Sequence, residues 1–175
     1  MQSPLSSKTT FGERSGSHQE ESRDGATDST KRGENFTAAE LGPIASLDRY
    51  VYTLPSGRVS MEGKVFLNQL LGLTSAEISV NKMPPGQGMP FYHTHKLNEE
   101  VYLFLGGQGE FQIDGEVFPI REGSVVRVAR GGERCWRNGG TADLVYIVFQ
   151  AREGSYEGHT TQDGVGVIKA VTWRG

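Results

Sequence analysis

Cysteine is almost missing from this sequence: Cys135 stands alone, so no intramolecular disulfide can form, which agrees with a reducing compartment. No apolar run approaches the roughly 20 residues that a membrane-spanning helix needs. The opening stretch Met1-Gln2-Ser3-Pro4-Leu5-Ser6-Ser7-Lys8 lacks the apolar core of a secretion signal. A cytoplasmic protein with no membrane partner is the expectation. A basic excess is missing too, since 18 Lys and Arg stand against 21 Asp and Glu and are scattered along the chain. Nothing therefore favours a nucleic-acid partner. Strong helical periodicity is absent, and so is any Ser-His-Asp order. Gly164-Val165-Gly166 lacks the third glycine and the following helix of a dinucleotide-binding loop. There is no internal repeat.

The 175 residues suffice for one domain plus a tail. Hydrophobic residues make up only 35% of them, so part of the chain is expected outside the core. Residues 1–35 fit that part: seven Ser, four Thr and four Gly accompany a single aromatic, Phe11. Such a segment buries too little apolar surface to offset its ordering entropy and reads as a disordered tail that includes His18. Residues 36–57 read as an N-terminal extension packing on the main body.

From Phe36 onward short apolar stretches alternate with Gly, Pro, Asn and Asp, the spacing of many antiparallel strands. Residues 64–70 read as a strand, with one helical turn as the alternative because their apolar positions cluster. Ala76 to Lys82 alternates clearly before the breaker Pro84-Pro85. Val101 to Leu105, Glu110 to Ile113, Glu116 to Phe118, Val125 to Val128, Arg134 to Arg137 and Leu144 to Phe149 continue the series. Asp114-Gly115 is a strong hairpin signal, because a two-residue turn requires positive φ. The fold class is all-β, a sandwich or barrel.

Chemistry concentrates in residues 86–102, where His93-Thr94-His95 precedes Glu99-Glu100. On an extended chain, residues two apart share a face, so His93 and His95 can aim both imidazoles at one point while Thr94 faces away. After the short loop Lys96 to Asn98, a carboxylate opening the next strand can return to that point. Two imidazoles and a carboxylate suit a divalent transition metal, Fe, Mn, Zn, Ni or Cu. The alternative is a pair of hydrogen-bonded histidines inside a barrel, which leaves two imidazoles and an acid poorly compensated.

This stretch resembles the first motif of the cupin superfamily: a glycine, His-x-His, three or four residues, a Glu, six residues and a Gly. Glu99 with Gly106 and Glu100 with Gly107 both satisfy it. Glu100 is favoured because it leads directly into the strand Val101 to Leu105, which leaves Glu99 at the rim. Residues 132–138 resemble the second motif, with a departure. That motif supplies a fourth ligand, a histidine, where this chain offers Cys135 counting from Gly132, or Arg134 counting back from Asn138. Cys135 is either a thiolate ligand for a softer metal or a half-buried thiol beside Trp136.

The resemblance covers residues 58–150 and implies a double-stranded β-helix, a jelly-roll-type barrel with its ligand cavity inside. It implies a homodimer, through residues 44–70 and a terminal strand in the C-terminal extension 151–175, at Val165 to Trp173. It also implies a small-molecule metalloenzyme of dioxygenase or isomerase type; a noncatalytic cupin that binds a sugar or organic acid is the alternative. Tyr102 and Phe104 share the parity of Glu100 and are candidates for the cavity wall, and Arg127 is the candidate for an anionic group. Arg134 and Arg137 are weaker candidates for that contact. Asn138 is read as a turn residue, and His159 as a possible cap of the barrel mouth.

Overall fold

The structure, a computed structural model, describes residues 30–158 and 161–173. Most of the expected tail, with His18 and with His159 at the other end, lies outside these residues. The last residues of that tail differ from expectation. Lys31–Gly33 (β1) and Phe36–Ala38 (β2) pair as an antiparallel hairpin across Glu34-Asn35. Arg32 Nη2 donates to the Leu70 carbonyl at 3.3 Å, tying the hairpin to the body of the fold. Average composition does not register so short a local pairing.

A 3-10 segment, Ile44–Arg49, leads into β3 (Val51–Thr53) and β4 (Ser60–Glu62), which pair with each other. Residues 64–70 combine the two readings: Lys64–Phe66 is β5, and Asn68–Leu71 is a single helical turn, α1. The turn ends at Gly72, whose φ of 72° is left-handed. The remaining strands are β6 (Glu77–Met83), β7 (Asn98–Gly106), β8 (Gln108–Ile113), β9 (Glu116–Arg121), β10 (Val125–Val128), β11 (Arg134–Arg137) and β12 (Leu144–Arg152).

These strands form two antiparallel sheets, of order β10-β7-β12-β6-β5 and β11-β8-β9. Asp114 and Gly115, with φ of 49° and 86°, make the expected tight turn between β8 and β9. The barrel is thus the all-β double-stranded β-helix expected. Its core lies between the sheets, where Tyr102 and Phe104 of β7 meet Phe111 of β8 and Trp136 of β11. Phe111 and Trp136 stack at 5.9 Å with planes 8° apart, and Tyr102 packs edge-on against both. Each fully buried side chain of this size contributes roughly 1.5–3 kcal/mol.

Strand β6 departs from the usual pattern of polar out and apolar in. Glu77, Ser79 and Asn81 face the barrel interior and line a cavity. Val80, on the opposite parity, packs outside with Leu47, Tyr50 and Val65 in a second, smaller apolar cluster that the 3-10 segment covers. Gly63 makes this cover possible. At φ 76° its N–H donates to Tyr50 O at 2.8 Å, and an added Cβ would lie 2.3 Å from Lys82 O.

The expected terminal strand at Val165 to Trp173 does not form. Val165, Ile168 and Trp173 are fully or almost fully exposed. Apolar residues alone do not make a strand, since the backbone needs a sheet edge to pair with, and no other described segment pairs with this one.

Candidate metal centre

Pro84 and Pro85 end β6, and the chain crosses the barrel mouth towards β7. Here the backbone is extended but held by isolated bridges rather than a full ladder, Gly88 opposite Arg137 and His93 opposite Arg134. The N–H of His93 donates to Arg134 O at 3.2 Å and that of Arg134 to His93 O at 3.1 Å. His93 and His95 therefore share the inner face while Thr94 is exposed, as the spacing of two requires. Glu100 enters on β7 with its side chain pointing inward beside that of Tyr102.

His93, His95 and Glu100 each offer a ligand atom, and these atoms lie within 4.8 Å of one another. His95 Nε2 is 2.9 Å from Glu100 Oε1, and the Gln150 amide lies 3.3 Å from His95 Nδ1. Burial of His93, with the nearby Arg134 charge, lowers its pKa to about 4, so the ring is a neutral imidazole at ordinary pH. Its Nδ1 is buried and has no hydrogen-bond partner among the described residues. Burial alone would raise the pKa of Glu100, but the Tyr102 hydroxyl and the Arg134 guanidinium outweigh it and hold the carboxyl below its usual value. A neutral imidazole with an orphaned nitrogen, a second imidazole and an ionised carboxylate form a donor set that fits a divalent transition metal.

Arg134 is the unexpected member of this group. It is one of the two positions, with Cys135, that the motif counts offer in place of a histidine, and its side chain is almost wholly buried. Its Nη2 donates to Glu100 Oε2, which also accepts from the Tyr102 hydroxyl at 2.5 Å. Its Nη1 donates to the carbonyls of His93 at 3.1 Å and Gly132 at 3.2 Å. Glu100 thus keeps Oε1 towards the histidines while Oε2 is held by the protein.

The other expectations divide. Glu99 faces away from the histidines and pairs with Arg127, whose Nε lies 2.6 Å from Glu99 Oε2. Arg127 is 57% exposed, pairs also with Glu153, and is not on the cavity wall. The reason is strand parity: Arg127 is opposite Val101 on the outer face of β7. Arg137 likewise turns outward to Glu110. Cys135 lies on the outer face of β11, between the inward Arg134 and Trp136, with its Sγ 3.9 Å from Gln112 Oε1 and apart from the three-residue group. Tyr102 is on the cavity wall, whereas Phe104 is in the core behind it.

The cavity measures about 570 Å³, and residues 87–91 form part of its wall. Its wall carries groups that the sequence pattern hid: Lys64, Ser79, Asn81 and Gln150. The regular polar parity of Glu77, Ser79 and Asn81 was the available signal, read as a strand without its inward direction. Tyr146, also on the wall, has its pKa raised by burial; the Trp136 indole nearby moderates the rise, yet among the described residues the indole N–H meets no acceptor at hydrogen-bonding geometry.

A cupin domain model matches residues 79–149. Among solved structures, a cupin protein from Bacteroides fragilis is 40% identical over 60% of this chain and 89% of that one, with a TM-score of 0.58. An oxalate-binding protein from Thermotoga maritima is 33% identical over 66 residues, 38% of this chain and 54% of that protein. The match spans about half the length of that curated relative. The paired histidines, the glutamate on the following strand and the two-sheet barrel agree with these likenesses, and the chain belongs to the cupin superfamily.

Proposed function

We propose that this cupin holds a divalent transition metal on His93, His95 and Glu100 and binds a small organic acid beside it. The observation that carries the reading is the convergence of these three donors on the wall of one cavity. A bound metal would supply Lewis acidity and positions for an anionic ligand. Arg134 and Tyr102 keep the carboxylate ionised and oriented, and Gln150 steadies the His95 ring. The cavity has the volume of ordinary small-molecule sites. The oxalate-binding protein from Thermotoga maritima supports an acid as the ligand class.

Turnover of that acid, of oxygenase or isomerase type, is the second reading. It is favoured by the donor set itself: among the described residues three protein donors converge, and the neighbouring Arg134 guanidinium is committed to Glu100 rather than available as a ligand. A homodimer in the cytoplasm completes the proposal. Leu105, Val125 and Phe149 support the dimer, forming exposed apolar surface on the outer face of the larger sheet.

The test is elemental analysis of protein purified without added metal, beside a His93→Ala, His95→Ala double variant, followed by calorimetry with oxalate. About one equivalent of a transition metal, lost in the variant, together with acid binding that needs the metal, is the expected result. No metal in either protein overturns the reading.

A further inference from the structure

Lys64 lies on β5, opposite Asn81 of β6, and its side chain lines the cavity that contains the metal-ligand candidates. Its Nζ donates to Ser79 Oγ at 3.2 Å and to Asn81 Oδ1 at 2.9 Å, and sits 4.6 Å from the centre of the Phe66 ring. Both acceptors are themselves fixed. Ser79 and Asn81 are 3% and 2% exposed, and Asn81 Nδ2 donates to Ser79 O and Ser79 Oγ, each at 3.0 Å. The ammonium is therefore held in one place by a built polar cradle.

An ammonium has three N–H donors, and the cradle takes two of them. No carboxylate among the described residues forms a salt bridge with Lys64, whereas Lys82 of the same wall has both Asp48 and Asp143. A charge taken out of water without a counter-ion is costly. Its consequence is visible, since burial lowers the pKa of Lys64 to about 8 in spite of the attraction of Glu100 and Glu77. A spare donor with no carboxylate in contact, on a cavity wall where Glu77 and Glu100 act only from a distance, describes half of an anion site.

We infer that Lys64 is a specificity residue that takes the second, metal-remote carboxylate of a small dicarboxylate. This rests on the proposed function, in which the first carboxylate meets the metal. A carboxylate suits the site better than a phosphate, because one ammonium with one free N–H answers a single oxygen, while phosphate recognition asks for several convergent donors or a bidentate guanidinium. Among the described residues no arginine lines the cavity, and Arg134, beside Glu100, is already committed to Glu100 and Tyr102.

The experiment is calorimetry on the full chain loaded with the metal it retains, using oxalate, malonate, succinate and acetate, for wild type and Lys64→Met. At least one dicarboxylate should bind the wild type tenfold or more tightly than acetate. Lys64→Met should lose that tenfold while metal content and acetate affinity stay the same. Equal dicarboxylate affinity in the two proteins overturns the inference alone; a wild type without metal overturns the proposed function and this inference with it. Should Lys64→Met not fold, wild type is compared on malonate and its half-amide, malonamate. A tenfold preference for malonate supports the role of Lys64, and no preference refutes it.

Discussion

Arg134 and Glu100 form an ion pair inside the barrel, with side chains 1% and 8% exposed. Removing one partner of such a pair leaves an uncompensated buried charge, which costs about 3–5 kcal/mol. Arg134→Met is therefore expected to lose stability of that order in denaturant unfolding. Adding Glu100→Gln to it should recover a large part of the loss, because the stranded carboxylate is gone. A single variant within about 1 kcal/mol of wild type would show that the pair is not a buried charge pair in solution.

Gln150 touches His95 on the nitrogen that faces away from Glu100. Partners of this kind orient a ligating imidazole, and their loss typically costs ten- to a hundredfold in metal affinity. Gln150→Leu should weaken metal binding by about tenfold in a competition titration with a chelator, and unchanged affinity would remove Gln150 from the site.

The pH dependence of stability has a definite sign at Lys64. Its folded pKa of about 8 lies below the ordinary lysine value of 10.5, so between these values the unfolded chain binds more protons than the folded one. This residue's contribution therefore makes stability rise as pH climbs from about 8 towards 10.5, with the full penalty present below about 8. Melting curves at pH 7.5 and 9.5 should show a smaller rise in Lys64→Met than in wild type, with the variant the more stable at the lower pH. Parallel shifts in the two proteins would sink the assignment.

Gly63→Ala tests the cover on the outer face of β6. The residue would have to hold a left-handed φ with its Cβ against Lys82 O, and strained conformations of this kind cost about 1–3 kcal/mol before any clash is relieved. Unfolding measurements should show a loss of at least that size. A neutral substitution would mean that the β4–β5 connection is free to change conformation.

Much of the site was legible because strand parity is simple. His93 and His95 fall two apart, Glu100 shares the parity of Tyr102, and both rules need only the chain itself. Arg134 was harder, because its role comes from pairing with His93 across two distant segments, a register that no local pattern states. Lys64 was hidden by a convention. Its cradle residues Ser79 and Asn81 alternate with Ile78 and Val80 as an outward-polar strand would, but the barrel interior is a ligand cavity and the 3-10 segment covers the outside. The apolar run near Val165 suggested a strand for its composition, though composition supplies no hydrogen-bonding edge.

Asn138 makes the turn read from the sequence, its Oδ1 accepting from the Gly140 N–H at 2.9 Å, and it is also a clasp. Its Nδ2 donates to Met83 O and Ala142 O, each at 2.8 Å, while its backbone bonds with Gly86 and Gln87 on the opposite rim. One residue thus ties together the end of β6, the segment that follows it and the connection between β11 and β12. Without that side chain the Met83 and Ala142 carbonyls would lose their shared donor, and the end of β6 would come untied from the β11–β12 connection.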